Sequence, residues 1–565
     1  MIHSLFRLVL ALALAALAAL ILPARGNLDG WSLFPPIAAI LVAVSTGQLI
    51  VGLVIAILGG ALLSLPASTP LYALPWEALR HAMLDFFWNP LVNSFQFYIL
   101  GFTASLIGMT RIVALAGGTQ GIAELLVKRA AGARSTRLAT FLMGLAIFFD
   151  DYANTMVVGT TMRPIADRFG IAREKLAYLV DSTAAPVAGL AVVSTWIGYE
   201  VGLFDDVMRQ VGEGISGYEL FFRALPLRFY CILTLCFVAL STILQRDFGP
   251  MLRAEQRASQ RGQVLAPEAR PMSGNERDRI DPPAGLRAHW STAAVPVGVV
   301  VFSVLLGMHL DVWTHEQADT ARQQHGLFSR SYWMVVLSNA DSAKVMFLAS
   351  LAGSALAFLL ALTRRDSATG KRFFSPWQIF KVWTRAIRNF YYALIILVLA
   401  WAIKETCTAV GTSAYLIASL SDLLAPAILP VLVFLLAAIV AFSIGTSWTT
   451  MALLLPTMLP LAFEIGGLPL VVVAAAAVLD GAIFGDHCSP ISDTTVLSSI
   501  ATSCDHRAHV RTQIPYALAT MSTAALFGYL GTTLFYPSFV GLLAGLSALI
   551  LLLLALGRDP EKPAA

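Results

Sequence analysis

The sequence predicts an all-α polytopic membrane protein of about 12 transmembrane helices plus two re-entrant hairpins, arranged as two inverted-topology repeats. Three observations predict it. Of 565 residues, 57% are hydrophobic and 13% charged, against about 25% charged in an ordinary soluble domain. The apolar residues come in runs of about 17 to 25, the length that crosses about 30 Å of hydrocarbon as helix, and the alternation of a membrane β-barrel is not visible. Lys and Arg gather in certain short loops, the mark of the cytoplasmic side.

The spans read as 4–22, 33–46, 48–64, 93–114, 137–164, 175–200, 219–244, 291–308, 344–363, 388–404, 425–464, 470–502, 514–535 and 537–556. Residues 4–22 are taken as a spanning helix rather than a cleaved signal, because Pro23-Ala24-Arg25 imitates a cleavage site only weakly. Lys128, Arg129, Arg134 and Arg137 place one loop inside; the polar linker 246–289 and the basic stretch from Arg364 to Arg388 mark two more. Asp205, Asp206 and Glu213 mark an outside loop. Segment 137–164 starts inside, yet Arg163, Arg168, Arg173 and Lys175 follow it. A single crossing cannot satisfy both ends, whereas a hairpin turning at Asp150–Asn154 can. Segment 425–464 is too long for one helix, is interrupted at Ser443–Thr450 and is flanked by stretches without Lys or Arg, so it reads as a second hairpin from the opposite face.

Each half thus holds a hairpin with a polar tip followed by a broken helix, the pattern of transporters whose site lies at the midplane between inverted repeats. The organisation expected is an N-terminal helix in 1–30, a first repeat in 31–245, a cytoplasmic linker in 246–290, a second repeat in 291–535, and a final helix and tail in 536–565. Both termini are then cytoplasmic. The five cysteines show no paired spacing and imply no disulfide framework.

Four polar clusters interrupt the apolar runs. In Phe148-Phe149-Asp150-Asp151-Tyr152-Ala153-Asn154-Thr155, helical spacing pairs Asp150 with Asn154 and Asp151 with Thr155. A carboxylate at the bilayer centre costs about 2.5–3.5 kcal/mol on insertion scales, so it needs a reason to be there: holding a proton or cation, or capping a broken helix. In Asp181-Ser182-Thr183-Ala184-Ala185-Pro186 the proline frees a carbonyl beside a carboxylate and two hydroxyls. Asp486-His487-Cys488-Ser489-Pro490-Ile491-Ser492-Asp493-Thr494 repeats the arrangement with two carboxylates. The second hairpin tip offers Thr446, Ser447, Thr449 and Thr450 but no charge. Gly214-Ile215-Ser216-Gly217 and His315-Glu316 match fragments of protease motifs without their partners, and no catalytic residue is assigned.

The runs FFDDYANTMVVGTTMRPIADRFGI, KLAYLVDSTAAPVAG and FGDHCSPISDTTVLSS closely resemble the NhaC family of Na⁺/H⁺ antiporters, over roughly residues 33–535. The resemblance implies cation exchange across the cytoplasmic membrane and an elevator motion of the wider ion-transporter superfamily, whose members suggest a homodimer. Some relatives exchange organic anions, malate for lactate among them.

The reading is therefore a transporter, not an enzyme, that exchanges Na⁺ for H⁺ without a cofactor; its partners are the lipid bilayer and the two ions, with no role for nucleic acid. Na⁺ is expected at Asp486, Asp493 and Asp150 or Asp151. Asn154, Thr155, Ser182, Thr183, Ser489, Ser492 and Thr494 complete the cation and proton site, with Asp181 ordering the first break or joining it. The alternative is a Na⁺- or H⁺-coupled carrier of a small organic anion or amino acid, whose distinguishing feature would be a buried Arg or Lys near the clusters.

Overall fold

A computed structural model describes residues 29–562 apart from 47–48, 128–130, 193, 213, 272–281, 284, 367–369, 390 and 421–424. The expected helix in 4–22 lies outside the described residues. The remainder is helical, with no strand longer than an isolated bridge among the described residues. The helices that position the polar clusters are α1 (Ser94–Leu115), α2 (Ala133–Ala146), α3 (Asp151–Arg168), α4 (Arg173–Asp181), α5 (Ile197–Val211), α6 (Phe229–Leu244), α7 (Gly249–Arg261), α8 (Ser291–Asp311), α9 (Ser342–Thr363), α10 (Leu429–Ile444), α11 (Ser447–Cys488), α12 (Asp493–Thr502), α13 (His506–Thr523) and α14 (Ser538–Leu556).

Five helices among the described residues are long and apolar enough to cross a membrane: α1, α8, α9, α11 and α14. A sixth arises if Gly217–Leu227 and α6, bent by 46°, count as one span. The outer faces of α9 and α14 carry exposed Leu348, Leu359, Leu551 and Leu554, surface that suits acyl chains rather than water.

The chain breaks where the polar clusters fall. α2 ends at Ala146 and Asp150 caps α3, its Oδ1 accepting the Ala153 N–H at 2.7 Å, as expected of a carboxylate at a helix start. After α4, only the turn Ala185–Ala188 is helical among the described residues before α5 begins at Ile197, so the first break runs further than the proline alone suggests. α10 and α11 pack side by side and join through Gly445, whose φ of +76° favours glycine. A Cβ on Gly445 would stand 2.7 Å from the Ile491 side chain and 3.0 Å from its carbonyl, so this tip rests on the break between α11 and α12. α11 kinks at Gly466 and Gly467.

The linker contains α7, an element the sequence reading did not assign, and it is docked. Glu255 is buried against Arg137 of α2 and accepts the Ala172 N–H at 2.8 Å. Arg257 pairs with Glu174 at 2.8 Å, and Asp247 with Lys175 of α4 at 2.7 Å. Arg137 and Lys175, read from sequence as loop charges, are thus buried ion pairs. The outer loop 309–340 forms helices Glu316–His325 and Arg330–Asn339. Ser216 of the Gly-Ile-Ser-Gly match caps a helix by accepting the Glu219 N–H at 3.1 Å, and the five cysteines are free thiols.

Candidate functional site

The densest polar cluster surrounds Asp486, 2% exposed near the end of α11. Ser447, the first residue after the α10–α11 turn, donates to its Oδ2 at 2.9 Å, and Ser492, across the break, donates to Oδ1 at 2.6 Å. Ser492 also bonds Thr494 Oγ1 at 2.9 Å. Ser489 donates to the Phe442 carbonyl at 2.7 Å, which fastens the break to α10. Pro490 ends the helical run as expected of a residue without an N–H. Asp493 opens α12, and its side chain lies outside the described set. Of the tip residues, Thr450 bonds the Thr446 carbonyl at 3.1 Å, while buried Thr449 Oγ1 has no partner among the described residues.

In the first half, Asn154 does most of the joining. Its Nδ2 donates to the carbonyls of Gly144 at 2.7 Å, Ile147 at 3.2 Å and Thr183 at 2.9 Å, clamping the end of α2 to the break after α4. The approach is close: a Cβ on Gly144 would stand 2.1 Å from Thr183 Oγ1. Asn154 Oδ1 and Thr155 Oγ1 are buried without partners among the described residues. Asp151 is buried in the first turn of α3. Asp150 Oδ2 accepts from Thr110 of α1 at 3.4 Å, so its side-chain bonds to α1 and to the Ala153 N–H hold the cap and α1.

Asp181, Ser182 and Thr183 are committed to the protein itself. Asp181 accepts from Ser498 at 3.3 Å and from Gln513 at 2.7 Å, with His509 Nε2 at 3.8 Å. Ser182 bonds His487 Nε2 at 2.9 Å, and Thr183 donates to the Leu179 carbonyl at 2.8 Å. His487 reaches Tyr230 through Nδ1 at 2.8 Å.

The two halves meet here. The Thr195 N–H donates to the Phe149 carbonyl at 3.1 Å, Tyr199 donates to the Trp448 carbonyl at 2.5 Å, and the Trp196 and Trp448 rings lie 5.8 Å apart. The α2–α3 turn and the α10–α11 turn therefore both abut the segment between α4 and α5. No group of His, Cys, Asp and Glu with metal-holding geometry occurs among the described residues; the oxygens gathered are carboxylates, hydroxyls and one amide, donors that suit a hard cation.

Sequence reasoning named Asp480 as a supporting carboxylate but missed the arginine and glutamate that form a second buried cluster with it. Arg228, at the start of α6, donates through Nε to Asp480 Oδ1 at 2.9 Å and through Nη1 to the Gly189 carbonyl at 3.1 Å. Asp480 Oδ2 also accepts from the Tyr230 N–H at 2.6 Å and the Tyr529 hydroxyl at 2.8 Å. Glu200 of α5 lies 3.8 Å from Arg228. A lone ionisable residue inside an apolar run was the available signal.

Polar helix breaks packed against each other inside an apolar bundle define a membrane transporter. The comparisons with known proteins agree: the sequence profile of the Na⁺/H⁺ antiporter family matches residues 187–532, more than half the chain. The chain belongs to that family. An uncharacterized Haemophilus influenzae protein is 28% identical over 536 residues, 94% of this chain and 95% of that one. The malate-2H⁺/Na⁺-lactate antiporter of Bacillus subtilis is 36% identical over 146 residues, 26% of this chain and 31% of its own. Among solved structures, the Alcanivorax borkumensis YdaH transporter superposes with a TM-score of 0.51 at 13% identity, covering 85% of this chain and 89% of that one.

Proposed function

We propose that this transporter exchanges Na⁺ for H⁺ across the cytoplasmic membrane, the two ions competing for carboxylates at the paired breaks. The observation that carries the reading is Asp486, buried and held from the hairpin tip by Ser447 and from across the break by Ser492. Asp486, Asp493 and one of Asp150 or Asp151 supply charge, while Asn154, Thr155, Thr449, Ser489, Ser492 and Thr494 supply neutral oxygens. Asp181, Ser182 and Thr183, already bonded within the protein, hold the first break in shape. The domain plan is two inverted repeats, 31–245 and 291–535, with about 12 crossings, two re-entrant hairpins, cytoplasmic termini and an elevator motion. The matching order of turn and break in the two halves supports it.

The second reading, an organic-anion carrier, is favoured by buried Arg228 and by the Bacillus subtilis relative. Arg228 is bonded to Asp480, however, and that leaves its charge already balanced.

The test is the protein in liposomes, with internal pH followed as Na⁺, K⁺, malate or lactate is added. Na⁺ alone should move protons. The apparent KM for Na⁺ should rise on the acid limb by about tenfold per pH unit for each proton displaced. A KM for Na⁺ independent of pH would end the shared-site reading.

A further inference from the structure

Two carboxylates, Glu200 and Asp480, share one guanidinium, Arg228, and all three are at most 1% exposed. They are not equal partners. Asp480 accepts three donors, from Arg228 Nε, the Tyr230 N–H and the Tyr529 hydroxyl, the full complement of a carboxylate that keeps its charge. Glu200 accepts none: neither Oε1 nor Oε2 has a hydrogen-bond partner among the described residues. The cation beside it, Arg228 Nη1, stands 3.8 Å away and donates instead to the Gly189 carbonyl at 3.1 Å.

The charge count decides what Glu200 is. With both carboxylates ionised the cluster carries a net negative charge in a dry interior, and the uncompensated charge would fall on the group without donors. A buried carboxylate lacking donors neutralises by taking a proton. The charge facing it is Arg228, with Asp480 on that guanidinium's other side. On the other helices packed against α5, Glu219 of Gly217–Ala224 pairs with Arg223, and among the described residues Arg111 of α1 and Lys344 of α9 form no ion pair with Glu200. Cys231 touches Arg228 at 3.7 Å as a thiol.

We propose that Glu200 is a second proton-carrying group of the transporter, distinct from the Asp486 pocket, and that it gives up its proton when the cation loads. The proposal rests on the exchange reading above. Asp480 ties this cluster to the pocket, lying six positions before Asp486 on the same helix, about 9 Å at 1.5 Å per residue. The cluster also reaches the first break. An ionised Glu200 competes for Arg228 Nη1, the donor that now holds Gly189, so loss of the proton loosens the segment against which both hairpin tips rest. The proton leaves as H⁺ to water, and no other bond is made or broken.

The experiment compares wild type, Glu200→Gln and Glu200→Asp in liposomes, measuring KM for Na⁺ against pH, with radioactive Na⁺/Na⁺ exchange at fixed pH as the control for folding. Glu200→Gln should keep Na⁺/Na⁺ exchange while the pH dependence of KM falls by one proton, about tenfold less change per pH unit. Glu200→Asp should retain the wild-type slope. An unchanged slope in Glu200→Gln overturns the proposal. Where Glu200→Gln loses Na⁺/Na⁺ exchange, the infrared C=O stretch of a protonated carboxyl decides: a band that shifts in Glu200→Asp supports it, and no shift overturns it. Absence of Na⁺-driven proton movement in the wild type would instead refute exchange, and the same infrared band would still show whether Glu200 holds a proton.

Discussion

Replacing Asn154 by Asp alters one atom of the side chain and reverses its hydrogen-bonding sense. The Nδ2 hydrogens serve three carbonyls, at 2.7, 2.9 and 3.2 Å. An amide has two such hydrogens, so two full bonds are at stake, each about 1–3 kcal/mol when a buried acceptor is left without its donor. The expected loss in Asn154→Asp is about 2–6 kcal/mol near neutral pH, with carboxylate–carbonyl repulsion pressing towards the upper end. Acid should relieve part of it, because a protonated Asp regains one donor. That stability is present at low pH and lost as pH rises. Four of the five free cysteines are buried, so a thiol-reactive dye reports thermal unfolding directly. A variant as stable as wild type at neutral pH would mean that the amide does not clamp α2 to the break after α4.

Ser447→Ala removes a 2.9 Å bond to Asp486; a hydrogen bond to a charged group contributes about 1.5–3 kcal/mol. The KM for Na⁺ should therefore rise about ten- to a hundredfold in radioactive uptake, and an unchanged KM would detach the tip from the site. Asp486→Asn should abolish Na⁺-driven proton movement in a protein that remains monodisperse on gel filtration; near-normal movement would relocate the coupling site. Glu255→Gln strands buried Arg137 and should cost about 3–5 kcal/mol in thermal denaturation, whereas a loss below about 1 kcal/mol would show that the charge finds water. At Asp505 burial works against ionisation, but the backbone N–H groups of Arg270, Ala508 and Arg507 outweigh it and hold the carboxyl below the usual carboxylate range. A depressed group contributes above its unfolded value and loses that contribution as pH falls through the folded one. The Arg270 amide, 2.8 Å from Asp505, should keep its hydrogen-exchange protection, corrected for intrinsic rate, down to about pH 4 and lose it below. Loss already at pH 6 would count against this bond.

The breaks were legible because carboxylates beside Pro186 and Pro490 inside apolar runs contradict a plain spanning helix, and Gly445 with its hydroxyl neighbours marks a turn. What each carboxylate touches was not legible. Ser447 and Asp486 are 39 residues apart, and a periodicity argument reaches only one or two helical turns. The same limit explains Arg137 and Lys175. Charge counting assigns Lys and Arg to a side of the membrane without asking whether a partner covers them, and their partners lie 118 and 72 residues away in the linker. It also explains Asp150, whose duty as a cap depends on where the helix restarts, and Arg228 with Glu200, each of which looks like a stray charge until Asp480 is placed between their helices.

The docked linker changes what a connection between two halves can be. Asp247 pairs with Arg558 of the tail through both backbone bonds and accepts from Tyr516 of α13 at 2.7 Å, while Pro271 bridges to Asp505. A segment that reads as slack between the two halves of the chain thus acts as a buckle, closed at one end on the tail and at the other on the loop before α13. Its length is set by those two fastenings, so residues inserted within 249–261 would not loop out harmlessly as in a tether. They would shift the register in which Glu255 and Arg257 meet the first half, and open the buckle.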